Sequence, residues 1–229
     1  MKKIYPEYWQ EASKELSKKD KILRQLIQEY SDTKLYSNLD PFRTLLKSVV
    51  GQQISVKAAD SIWARLENEI SENMLFSDFL EPDEEKLRAI GFSRMKIQYS
   101  KNIAQYLNGI FLESELYKPE KKLARQCLGN LQRTILNKYF QGLESKRLKK
   151  ELLAIKGVGE WTLEMFQIFY LMDADVFPVK DIGLINTIKK LYGINDLDEI
   201  KKLSSKWQPY RTVATWYIWR SLDDEPVQY

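Results

Sequence analysis

The chain has 229 residues, 44% of them hydrophobic, which is enough for a buried core and too apolar for wholesale disorder. A net charge of +4, from 36 basic and 32 acidic residues, permits contact with a polyanion without demanding it. There is no histidine and one cysteine, Cys127, so Ser-His-Asp and Cys-His catalysis, His-ligated metals, internal disulfides and four-thiolate clusters are all excluded.

In chain order, the opening Met1-Lys2-Lys3-Ile4-Tyr5-Pro6 has no apolar leader pattern, and no run approaches the roughly 18 apolar residues of a membrane span. A soluble intracellular protein with no membrane partner is expected. Apolar periodicity is helical nearly everywhere and predicts an all-α fold. Asp40-Pro41 reads as an N-cap followed by proline at the first helical position, with Phe42, Leu45, Leu46, Val49 and Val50 on one stripe ended by Gly51. Ser55 caps a second helix that turns Val56, Ala59, Ile62, Trp63 and Leu66 inward. Pro82 opens a short helix through Leu87 and Ile90, ended by Gly91. Ser93 caps the next, which runs toward Leu107. Residues 118–141 read as helical but poorly patterned, with no role assigned.

Ser145 is placed as the cap of a helix through Leu148, Leu152, Leu153 and Ile155 that stops at Gly157-Val158-Gly159. Another helix follows at once, from Trp161 to about Leu171. A loop with Asp173, Asp175 and Pro178 leads to a helix that starts near Asp181 and stops near Gly193. A last amphipathic helix carries Tyr210, Val213, Trp216, Tyr217 and Ile218, with Trp216 assigned to the core. No repeats or long linkers interrupt the chain.

The informative stretch is Ile155-Lys156-Gly157-Val158-Gly159-Glu160-Trp161-Thr162, two helices joined by a turn with two glycines. Glycine tolerates the positive φ of a tight turn and leaves no side chain between backbone and ligand. Val158 is expected to tuck between the helices and fix their angle. The amides that open the second helix then point outward toward an anion, with Lys156 adding positive charge. Such a grip reads no base sequence; it positions a protein on a phosphate backbone. The plain alternative is a helix C-cap followed by an ordinary turn.

With Val49-Val50-Gly51-Gln52-Gln53-Ile54-Ser55-Val56-Lys57-Ala58-Ala59, with Asp175-Val176-Phe177-Pro178-Val179-Lys180-Asp181-Ile182-Gly183-Leu184, and with Leu87–Lys96 more weakly, the chain resembles the helix-hairpin-helix glycosylase superfamily. The likeness is to its alkylation-repair branch, the 3-methyladenine DNA glycosylase II type. It runs from about residue 40 onward and is weak over 118–141. The resemblance implies an all-α, two-lobed fold with a DNA-binding cleft between the lobes. One lobe would hold residues 36–173, a helical barrel with the hairpin; the other would combine 1–35 with 174–229 and carry the catalytic acid. The β-rich N-terminal domain of the larger bacterial enzyme is expected to be absent.

The same resemblance implies the chemistry. The partner would be double-stranded DNA with damaged bases, and the protein a monomer, cytoplasmic and nucleoid-associated, or nuclear if the source is eukaryotic. Asp181 occupies the family's catalytic position, where a carboxylate stabilises the oxocarbenium-like sugar and directs water. Its other reading is the N-cap of the helix that begins at Ile182, and both can hold at once. Asp173 and Asp175 are read as loop polar groups. Members that also cut the strand use a lysine where this chain has Trp161, so base excision without lyase activity is expected, with Lys180 as the residue that could overturn it. Gln53, with Gln52 beside it, falls where relatives carry the intercalating wedge. Trp161, Trp219 and Met165 match base-pocket positions, Met165 standing where the large bacterial enzyme has a tyrosine. Lys156, Gly157, Val158, Gly159 and Thr162 form the phosphate grip, while Lys57, Arg94 and Lys96 read as ordinary surface charges. No organic cofactor or metal ligand set is implied, although hairpin carbonyls of this family can hold a monovalent cation. The competing readings are a glycosylase for a neutral lesion, a non-catalytic DNA-binding module and a helical adaptor.

Overall fold

A computed structural model describes residues 3–71, 73–119 and 123–222. Met1 and Lys2 of the opening stretch, residues 120–122 of the unpatterned stretch and the last seven residues of the tail lie outside the described residues. The described residues form helices and no strands; the nearest thing is one antiparallel bridge between Ile4 and Ser37. In chain order the helices are α1 Trp9–Lys19, α2 Lys21–Glu29, α3 Pro41–Gly51, α4 Val56–Ile70, α5 Ser77–Leu80, α6 Glu84–Ala89 and α7 Arg94–Leu112. They continue as α8 Arg125–Gln141, α9 Ser145–Ala154, α10 Glu160–Phe166, α11 Ile182–Tyr192, α12 Leu197–Ser205 and α13 Arg211–Arg220. No helix of the described residues is long and apolar enough to cross a membrane.

Two compact units divide the chain, Leu39–Phe166 and Met1–Asn38 together with Gln167–Tyr229. In the first, α3 is the central element. Its N-cap Asp40 accepts from the Arg43 N–H at 3.0 Å, and Phe42, Leu45, Leu46, Val49 and Val50 are all buried against α4, α7, α8 and α10. Phe42 meets the edges of Phe76 and Phe79 at 5.0 and 5.6 Å, a favourable crossing for ring quadrupoles. The formerly unassigned stretch supplies α8, which Arg125 ties to Asp78 and Arg133 ties to Asp40.

In the second unit, α13 is the buried element. Every residue from Thr212 to Trp219 is buried, so the expected amphipathic face is absent: α1, α2 and α11 all pack around it. Trp216 stands edge-on to Trp9 at 5.2 Å, and the Trp9 indole donates to the Tyr217 hydroxyl at 3.2 Å. Burying each such ring contributes about 1.5–3 kcal/mol.

Three local expectations are corrected. Glu144, not Ser145, precedes α9, and its side chain makes no cap bond. Asp83, not Pro82, heads α6, since its carboxylate accepts from the Lys86 N–H at 3.1 Å. The single helix expected from Trp161 to Leu171 is α10 followed by a π-helical turn, Gln167–Leu171. That turn brings Ile168, Phe169 and Tyr170 consecutively into the interior, which a regular 3.6-residue period would not do. Helix α12, capped by Asp196 through the Asp198 and Glu199 amides, was not legible from periodicity.

Candidate functional site

The hairpin lies in the unit Leu39–Phe166. α9 ends at Ala154 and α10 starts at Glu160, with Gly157 at φ +106° between them. Val158 is buried, and its N–H donates to the Ile155 carbonyl at 2.9 Å. The two glycines do different things. A Cβ on Gly157 would stand 2.2 Å from Tyr99 Cγ, so this glycine is required by the α7 ring packed beneath it. A Cβ on Gly159 would meet nothing within 4 Å, and the residue is exposed, as is Lys156. Thr162 is buried, facing inward rather than toward an external anion.

The hairpin carbonyls are taken up by the protein itself. The Lys156 carbonyl accepts from Asn102 Nδ2 at 2.8 Å, and the Gly157 carbonyl from Gln52 Nε2 at 3.0 Å. The same Gln52 nitrogen reaches Thr162 Oγ1 at 2.9 Å. With Ile155 bonded to Val158, the successive carbonyls of Ile155, Lys156 and Gly157 each have a donor. Each of these oxygens accepts one such bond and keeps a second lone pair.

The loop after α3 places Gln52 and Gln53 differently. Gln52 turns in to the hairpin and is not directed outward as the wedge reading expects. Gln53 is exposed and held at φ +61°, a left-handed conformation that a glutamine adopts only at some cost. Beside this loop, Lys96 Nζ donates to the Val50 carbonyl at 2.6 Å, and burial lowers its pKa. Lys96 is thus a C-terminal cap of α3 rather than a solvated surface charge. Lys57 and Arg94 are exposed.

The acid loop lies in the other unit. Asp181 is the N-cap of α11: its Oδ1 accepts from the Leu184 N–H at 2.6 Å and from Trp219 Nε1 at 3.3 Å. Trp219 in turn stacks on Phe169, rings 5.9 Å apart and 13° from parallel. Asp175 is committed elsewhere, to a two-pronged pair with Arg211 at 2.7 and 2.9 Å. Desolvation pushes the Asp175 carboxyl up, but the hydrogen bonds and charge of Arg211 outweigh it and hold the group below the usual carboxylate range. Asp173 is exposed, its carboxylate accepting from the Asp175 N–H at 3.0 Å. Lys180 is exposed, Trp161 is half-buried, and Met165 is buried within α10.

Sequence reasoning missed Tyr99, Asn102, Arg211 and Phe169. None carries a motif, and each matters through a contact with a distant segment. Only Tyr99 had a signal, an aromatic three residues before Asn102 on one face of α7.

A family model described as HhH-GPD superfamily base excision DNA repair protein matches residues 46–209. DNA-3-methyladenine glycosylase 1 of Schizosaccharomyces pombe is 30% identical over 208 residues, which cover 88% of this chain and 81% of that protein. The alkylbase DNA glycosidase-like protein mag2 of the same yeast is 27% identical over 220 residues, 93% of each. Among solved structures, the Schizosaccharomyces pombe 3-methyladenine DNA glycosylase in complex with abasic DNA matches at a TM-score of 0.73 with 27% identity, covering 95% of this chain and 100% of that one.

Proposed function

Because the chain belongs to the HhH-GPD superfamily of base excision DNA repair proteins, we propose that it is a monofunctional DNA glycosylase that removes alkylated purines of the 3-methyladenine and 7-methylguanine type from duplex DNA. The observation that carries this reading is Asp181, fixed at the head of α11 by the Leu184 amide and the Trp219 indole. Two donors on one oxygen hold the carboxylate in a single orientation before substrate arrives, which is the preorganisation that charge stabilisation needs. The relatives' names, and the abasic DNA bound by one of them, support the same substrate class and DNA as partner.

The chemistry follows from the inventory. As the glycosidic bond breaks, positive charge builds on the sugar; the Asp181 carboxylate stabilises it and directs water to the anomeric carbon, leaving an abasic site. An N3- or N7-alkylated purine already carries positive charge and departs without a general acid, so a protein with no histidine is suited to it. The target base leaves the stack, and Gln53, exposed on its loop, fills the gap. The half-buried Trp161 offers an aromatic face to a cationic ring, while the buried Trp219, stacked on Phe169, serves the site by holding Asp181. Lys156 and the hairpin backbone around Gly159 hold phosphates. Trp161 cannot form an imine, so the strand is left uncut.

The test is chromatography of bases released from methylated duplex DNA, with Asp181→Asn in parallel. Wild type is expected to release 3-methyladenine and 7-methylguanine, and the variant to lose about a thousandfold in rate. Asparagine keeps the cap, so the fold should survive. Equal release by both proteins would move the acid elsewhere. Borohydride should trap no covalent adduct with abasic DNA; an adduct through Lys180 would overturn the monofunctional assignment.

A further inference from the structure

Gln52 was the residue beside the wedge. The structure gives it a different task. Its side-chain nitrogen lies 3.0 Å from the Gly157 carbonyl and 2.9 Å from Thr162 Oγ1, spanning the turn and the first turn of α10. The carbonyl only accepts, so the amide must present nitrogen and not oxygen to the hairpin. The next residue, Gln53, is exposed at φ +61°. One peptide unit therefore separates a side chain anchored in the hairpin from one directed at solvent. On the near side of the loop, Lys96 from α7 holds the Val50 carbonyl at 2.6 Å. On the far side of the turn, Asn102 from the same helix holds the Lys156 carbonyl at 2.8 Å, and Tyr99 packs under Gly157. Helix α7 thus fastens both the loop and the hairpin, and Gln52 closes the triangle between them.

Resting on the glycosylase reading, we infer that Gln52 is a positioning residue that couples the phosphate-gripping hairpin to the Gln53 loop. Seating the backbone on the hairpin then fixes where Gln53 enters the stack, and gripping and insertion become one step. Thr162 belongs to this coupling as an acceptor for Gln52, not as a phosphate ligand. Glutamate at position 52 keeps the shape but turns an oxygen toward the Gly157 carbonyl, so the loop is pushed off the hairpin.

The test uses duplex DNA with a tetrahydrofuran abasic analogue opposite 2-aminopurine, whose fluorescence reports stack disruption without any catalysis, together with single-turnover base release from methylated DNA. Gln53→Ala alone should reduce the fluorescence change and the release rate about tenfold. Gln52→Glu should do the same, with the melting temperature only a few degrees below wild type. In the double variant Gln53→Ala should add less than about twofold, because its insertion has already been lost. Thr162→Val, which removes one acceptor and keeps the other, should give a smaller loss in the same direction and serves if Gln52→Glu folds poorly. Independent, multiplying losses from Gln52→Glu and Gln53→Ala, or a wild-type fluorescence response in Gln52→Glu, would overturn the coupling. If wild type releases no base but the fluorescence losses are still non-multiplying, the coupling stands and the glycosylase reading fails.

Discussion

The hairpin and the acid loop both contain residues that look alike in sequence and are sorted apart by their neighbours. In the hairpin, Gly157 and Gly159 flank one valine. The first is jammed against Tyr99, with a Cβ position 2.2 Å from the ring, while the second faces open space. In the acid loop, Asp175 is locked to Arg211, whereas Asp181 caps α11 and holds the Trp219 indole. In each region one residue is tied down by a distant partner, while the other stands open, as Gly159 does, or heads a helix, as Asp181 does. A motif names both members without saying which is which.

The largest effect is expected at Gly157. Gly157→Ala places a methyl inside the Tyr99 ring at a backbone angle L residues avoid, and should cost about 3 kcal/mol or more, seen as a large fall in melting temperature. If it melts like wild type, the packed role assigned to Gly157 is wrong.

Next in size is Asp175→Asn. The pair with Arg211 is partly exposed, so its loss should cost about 1–2 kcal/mol at neutral pH. The sign with pH follows from the lowered carboxyl pKa: the stabilisation is present above the unfolded value, about 3.9, and disappears as pH falls through the lower folded value. Wild type should therefore lose more stability than Asp175→Asn on acidification from pH 5 to 2, followed by urea titration at each pH.

At Asp181 the cap can be separated from the proposed catalytic role. Asp181→Ala should lose about 1 kcal/mol through the unsatisfied Leu184 amide, and Asp181→Asn almost nothing, although both lose base release. The smallest effect on stability is expected at the open glycine. Gly159→Ala should change unfolding free energy by no more than about 0.5 kcal/mol, since its methyl meets nothing, yet on the proposed phosphate grip it should weaken DNA binding several-fold. Unchanged DNA affinity would remove Gly159 from the grip.

What is local could be read along the chain. Asp40, Ser55, Ser93 and Asp181 were readable as helix caps because each bonds an amide three residues on. The all-helical class, the break at Gly157-Val158-Gly159 and the buried stripe of α3 follow from the same short-range rules. Where those rules weaken, at Ser145, Pro82 and the start of α12, the readings slipped or failed. Tertiary structure decided everything that depends on a partner far along the chain: Gln52 on Gly157 across 105 positions, Arg211 on Asp175 across 36, and Trp219 on Asp181 across 38. It also buried α13 from several sides, because three other helices of its unit close over it. A side chain's reach is a few ångströms, so the chain fixes which neighbours it meets only once distant segments have packed.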